Sequence, residues 1–112
     1  MSNVHKGHAG DHSNYKGWLM GNFMPEDSPL HSRDLEVKWG TPKAGWEREE
    51  WSPAIQQKTI SILISGECVT IFPDEEVVMK NTGDYVIWSD VAHSFRAITD
   101  CTVLTIRWPS IK

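Results

Sequence analysis

Five histidines, two cysteines and a scatter of carboxylates are the side chains of this 112-residue chain able to move a proton, attack a carbonyl or hold a metal. His5, His8 and His12 are spaced x2 and x3, a cluster that can pick up Zn²⁺ or Ni²⁺. They sit in MSNVHKGHAGDHSN, which is polar, lacks apolar periodicity and offers nothing to orient a metal-bound imidazole, so residues 1–14 read as a flexible histidine-rich arm. His31 follows Pro29-Leu30 in a turn region and reads as a loop residue. His93 is different. It follows an apolar run and a short loop, and an imidazole with a pKa near neutrality can anchor a polar ligand or act as acid and base. Cys68 and Cys101 stand 33 residues apart in apolar, strand-like runs without the basic surroundings that activate a thiol. With no secretory signal at the N-terminus, they read as reduced buried thiols. Glu47-Arg48-Glu49-Glu50 has the look of a solvated charge run, and no Ser-His-Asp spacing nominates a nucleophile.

Such residues must be positioned by short strands, because no window offers a helical stripe. Leu35-Glu36-Val37-Lys38-Trp39 alternates apolar and polar, the mark of a half-buried strand. Thr59 to Ser65 places Ile60, Ile62 and Ile64 on one face and Thr59, Ser61, Leu63 and Ser65 on the other. Gly66-Glu67 then turns into Cys68 to Phe72, which predicts a hairpin. Further runs at Val77-Val78-Met79, Tyr85 to Trp88, His93 to Ile98 and Cys101 to Trp108 are separated by turn residues. Eight or nine strands at this spacing predict an all-β sandwich or small barrel. The length allows one domain, over residues 15–112, burying roughly two-thirds of its unfolded surface.

Composition narrows the partners. The net charge is −4, with 11 basic against 15 acidic residues, and no basic run exceeds two, so a nucleic-acid footprint is missing. The apolar run Thr59 to Ser65 is far short of the roughly 18 residues of a membrane span. A cytoplasmic protein with neither nucleic acid nor membrane as partner is expected. Six tryptophans, scattered along the chain, read mainly as bulky core pieces.

The stretch from Ile64 to Arg96 resembles the second half of a small cupin. It has a glycine after a strand (Gly66), a Gly-Asp turn (Gly83-Asp84), an apolar strand and a short loop leading to a histidine, His93. The ordered runs Glu36-Val37-Lys38-Trp39-Gly40, Gly83-Asp84-Tyr85-Val86, His93-Ser94-Phe95-Arg96-Ala97 and Arg107-Trp108-Pro109-Ser110 are similar to those of small bacterial single-domain cupins of undefined activity. The resemblance implies a cupin-type double-stranded β-helix, a jelly-roll barrel that usually dimerises and often holds a divalent metal. This chain departs from the family's first motif, a His-x-His pair followed by Glu. Counting back from Gly66, those positions fall on Pro53, Ile55 and Thr59; counting forward from Gly45, the pair falls on Trp51 and Pro53. Of the four standard ligands only His93 remains, and one imidazole does not hold a catalytic metal.

By the same parity Thr59, Ser61, Leu63 and Phe95 face the cavity beside His93, and Trp51 fills the space of the lost metal. Glu49 and Glu47 share Trp51's parity if that segment is extended. The expected ligand-binding residues are therefore His93, Trp51, Thr59, Ser61, Phe95 and Glu49, with no cofactor. The expected function is binding of a small polar or carboxylate-bearing molecule, without the standard metal site, by a homodimer. The alternative is a metal-dependent oxygenase or isomerase in which His93 and substitute carboxylates hold Fe, Mn, Zn or Ni. A third reading is a structural dimer whose barrel is plugged by aromatic side chains.

Overall fold

In the computed structural model, residues 3–11 and 16–110 are described. His12 lies outside them, so the N-terminal histidine cluster is described only at His5 and His8, both exposed. The described residues form eight strands: β1 (Trp18–Met20), β2 (Glu36–Gly40), β3 (Lys58–Ser65), β4 (Cys68–Ile71), β5 (Glu76–Met79), β6 (Tyr85–Trp88), β7 (Ser94–Ala97) and β8 (Thr102–Trp108). They build a five-stranded sheet in the order β1-β2-β8-β3-β6 and a three-stranded sheet in the order β5-β4-β7, with every pairing antiparallel. The run spacing predicts such an all-β sandwich or small barrel, and the resemblance implies its roll.

One connection differs from expectation. β3 and β4 do not form a hairpin; they lie in different sheets, and β4 pairs with β5 and β7. The reason lies at Gly66, whose φ of +87° is a left-handed conformation that L side chains rarely adopt. A Cβ there would stand 2.3 Å from the Asp100 carbonyl oxygen. With the register shift between Leu63 and Ser65, the chain bends out of the large sheet and crosses to the small one. The Gly83-Asp84 turn, by contrast, closes as expected. The Asp84 carboxylate accepts from the backbone N–H groups of Lys80 and Asn81, at 3.1 and 3.0 Å, which holds its pKa below the usual range.

The core fills one end of the space between the sheets. Leu63, Cys68, Met79, Val86, Ala97, Cys101 and Val103 are buried there, with Phe72, Val77, Trp88 and Phe95 packed against them. Cys68 and Cys101 are free thiols, as expected. Burial, with Cys101 as neighbour, pushes the Cys68 thiol up to about 12. The other end of the roll is left open, lined by aromatic and apolar side chains with a few cations and hydroxyls among them.

Candidate functional site

The open end is a cavity of about 480 Å³. Register explains its chemistry. Along the inner face of the large sheet, Glu36, Arg107, Thr59 and Trp88 stand side by side on β2, β8, β3 and β6. The next inward row runs from Trp18 through Lys38, Thr105 and Ser61 to Val86. One row deeper, Gly40, Val103 and Leu63 lead into the apolar core. The inner face thus grades from cationic and hydroxylic at the mouth to apolar at the base. Between Ser61 and Thr105 the two hydroxyls hydrogen-bond across the strands at 2.8 Å, so their polarity is mutually satisfied.

The facing wall comes from β7 and from residues 45–52, which run beside it as a broken strand. The Arg48 N–H donates to the Phe95 carbonyl at 3.1 Å, and the Ala97 N–H donates to the Trp46 carbonyl at 2.8 Å. Ser52 and His93 exchange backbone hydrogen bonds of 2.8 and 3.1 Å. Glu47 pairs with Arg96 in an isolated bridge, both exposed, so the alternate positions Trp46 and Arg48 line the cavity together with Phe95. Segment 47–51 is therefore neither helix nor regular strand.

His93, Thr59, Ser61 and Phe95 all line the cavity. Leu63 faces the same way but belongs to the packed core. Trp51 and Glu49 do not line the cavity: both are exposed, Trp51 at 49 %. Their expected parity assumed an extended strand, and the isolated bridges at Glu47 and Ser52 show that the alternation breaks between them. Pro53 and Ile55 do line it.

The sequence reading missed the cavity's cations, among them Lys38, Arg48 and Arg107. Lys16, at the edge of the described chain, joins them. Arg107 is fixed from behind by Glu36, a carboxylate only 2 % exposed. The Arg107 Nε donates to Glu36 Oε1, the Gln57 amide donates to the same oxygen at 3.3 Å, and the Ser110 hydroxyl donates to Oε2 at 2.9 Å. The Trp18 ring lies under both cations, 4.4 Å from the Arg107 guanidinium carbon and 5.6 Å from Lys38 Nζ. Burial and the neighbouring Arg48, Arg107 and Lys16 hold the Lys38 ammonium below its ordinary pKa.

His93 is tilted against Trp88, with ring centroids 4.7 Å apart, and lies 6.5 Å from Phe72. Burial, then Arg48, Arg107 and Lys38, lower its pKa to about 4. It is thus a neutral imidazole at physiological pH, well away from the near-neutral value expected of it. Its Nδ1 and the Nε of Arg48 are both buried without a hydrogen-bond partner.

A transition metal does not suit this wall. Among the cavity-lining residues His93 is the one imidazole, and neither carboxylate nor thiol joins it. Glu47 and Glu49 are exposed, and among the described residues no three His, Cys, Asp or Glu side chains come together as a metal group.

The fold is the cupin jelly roll. The chain is similar to the solved structure of KdgF from Halomonas sp., at 17% identity and a TM-score of 0.65 over 73% of this chain and 74% of that one. It also resembles an RmlC-like cupin from Shewanella frigidimarina, at 17% identity and a TM-score of 0.63 over 71% and 70% of the two chains. A cupin-2 domain protein from the same organism matches at 17% identity and a TM-score of 0.58, over 86% of this chain and 89% of that one. No family model and no curated protein matches the sequence.

Proposed function

We propose that this cupin-fold chain binds a small carboxylate-bearing molecule in its cavity without the standard metal site. One observation carries the reading: Lys16, Lys38, Arg48 and Arg107 line the cavity and no Asp or Glu side chain does. A protein of net charge −4 that gathers four cations, of which Arg107 alone has a carboxylate partner among the described residues, around an aromatic-walled space is matched to an anion. In this reading the Arg48 guanidinium takes the carboxylate through charge-assisted hydrogen bonds, and Trp18, Trp46 and Phe95 cover the apolar body. Neutral His93 offers a donor or an acceptor to a neighbouring hydroxyl or amide. The alternative, metal-assisted catalysis by His93 with Glu47 or Glu49, finds no support in their exposed positions.

The same proposal includes a homodimer. Its support is the outer face of the large sheet, where β-strand alternation sets Val37, Ile106, Ile60 and Ile87 in one row and Trp39, Leu104, Ile62 and Tyr85 in the next. Ile87 and Tyr85 are 49 % and 63 % exposed. A second copy of this face would cover them.

The binding reading is tested by titrating small carboxylates and their neutral amides into untagged protein while following fluorescence from the cavity tryptophans. Saturable changes with the acids and none with the amides are expected. An equal response to both sets would overturn it.

A further inference from the structure

We infer that the cavity's ligand carries at least two negative charges, held apart so that one meets Arg48 on the small-sheet side and the other meets Lys38 and Arg107 on the large sheet. The inference rests on the binding reading above and adds the ligand's charge and the distribution of its anionic groups.

The first argument is a count of charges. Four cations line the cavity, and the one carboxylate nearby, Glu36, is committed to Arg107, Gln57 and Ser110. Among the described residues, neither Lys16, Lys38 nor Arg48 has a carboxylate partner. Lys16 is exposed and Arg107 is paired with Glu36, so Lys38 and Arg48 are the part-buried cations left to compensate. One monoanion would leave one of them without a counter-charge in a space walled largely by aromatic and apolar side chains. Partly buried like charges repel much more strongly than solvated ones. Surface lysines do not produce this condition, because water screens them.

The second argument is placement. Lys38 and Arg107 rise from adjacent strands of the large sheet, two residues apart along the register, and share the Trp18 face. Arg48 comes from the broken strand beside β7, on the other wall. A single anionic group seated against Lys38 and Arg107 leaves the Arg48 guanidinium, which has no carboxylate partner among the described residues, without a counter-charge. A second anionic group closes that gap. Between the two poles the walls are Phe95, Trp46, Ser61 and Thr105, which suit a short carbon body bearing one or two hydroxyls.

A dicarboxylate and a phosphorylated small molecule both supply this chemistry, so the test uses both. Succinate, butyrate, inorganic phosphate and pyrophosphate are titrated calorimetrically into the full chain at low ionic strength, with Lys38→Met and Arg48→Gln as independent variants. Each variant removes a like charge and no core atom, so its melting temperature should hold or rise. Succinate or a phosphate is expected to bind at least about tenfold more tightly than butyrate, as one added charge-assisted contact supplies. Both variants should lower that preference to within about twofold. Succinate over phosphate identifies a dicarboxylate; phosphate over succinate identifies a phosphate ester. Succinate over butyrate, or pyrophosphate over inorganic phosphate, supports two separated charges. Inorganic phosphate binding as tightly as pyrophosphate and more tightly than succinate would put both charges on one group and overturn the separation. Butyrate binding as tightly as succinate and phosphate would overturn the two-charge inference and leave the carboxylate reading standing. No binding by any of the four would overturn both. A dianion preference unchanged in Lys38→Met and Arg48→Gln would show that the charges are met elsewhere, which overturns the placement.

Discussion

Acidification should weaken the fold through His93, and the size of the loss can be worked from its surroundings. Above pH 6.5 the imidazole is neutral in both folded and unfolded chains. Below it the unfolded chain takes up a proton, while the folded chain resists until about pH 4. Stability attributable to His93 therefore falls as pH falls through the window from 6.5 to about 4, and does not change below it. At about 1.4 kcal/mol per pH unit the upper bound is roughly 3 kcal/mol. Solvent reaches part of the ring, and screening brings the expected loss to about 1–2 kcal/mol. Urea unfolding of the wild type and of His93→Gln, at steps between pH 7.5 and 4, isolates the effect, since carboxylates contribute to both proteins alike. The wild-type advantage should shrink steadily across the window. In parallel, the His93 ring proton, assigned by its absence from His93→Gln, should titrate near 4. A midpoint near 6.5 together with a pH-independent difference would refute the placement of this imidazole among Arg48, Arg107 and Lys38.

Untagged protein should carry well under one equivalent of transition metal by elemental analysis; about one equivalent released by His93→Ala would contradict the ligand count of the cavity wall. Cys68, with its thiol near 12, should react with a disulfide reagent at least about a thousandfold more slowly in the native protein than in urea. Leu63, fully buried in the core, should cost about 2–5 kcal/mol when replaced by Ala, read as a lower urea midpoint with unchanged slope. Light scattering at micromolar concentration should give twice the 12.7 kDa chain mass, and Ile87→Lys should return it to the single-chain value; wild-type protein at 12.7 kDa would remove the dimer.

Period-two patterning locates strands well, because alternate side chains must leave the backbone on opposite faces. Tyr85 to Trp88 is legible residue for residue. Patterning does not say which face is inside. In Leu35-Glu36-Val37-Lys38-Trp39 the charged positions look like the wet side, yet Glu36 is among the most buried residues and Lys38 lines the cavity. The same inversion holds in β3, where Thr59 and Ser61 are buried while Ile64 is 37 % exposed. The parity of Thr59 and Ser61 was legible only because the Gly66 and His93 landmarks tied one strand to a known roll. No landmark marked Arg107 or Lys38, whose inward direction follows from their pairing with Glu36, Thr59 and Thr105. Arg48 was hidden differently. Inside Glu47-Arg48-Glu49-Glu50 a lone arginine reads as part of a solvated run, and only the backbone bond to Phe95 turns it inward.

Glu36 gives the cavity a property that concerns time more than affinity. Arg107 already has its carboxylate, so a departing ligand does not strand this guanidinium as an orphan charge; the cation returns to a partner that never left. The clamp also binds β2 to Gln57 and to Ser110, whose hydroxyl accepts the Asn22 N–H at 2.8 Å, so the wall is set before anything enters. A preset wall asks for little ordering on arrival, and a resident counter-ion lowers the barrier to leaving. For a ligand of the proposed kind, those traits predict rapid exchange.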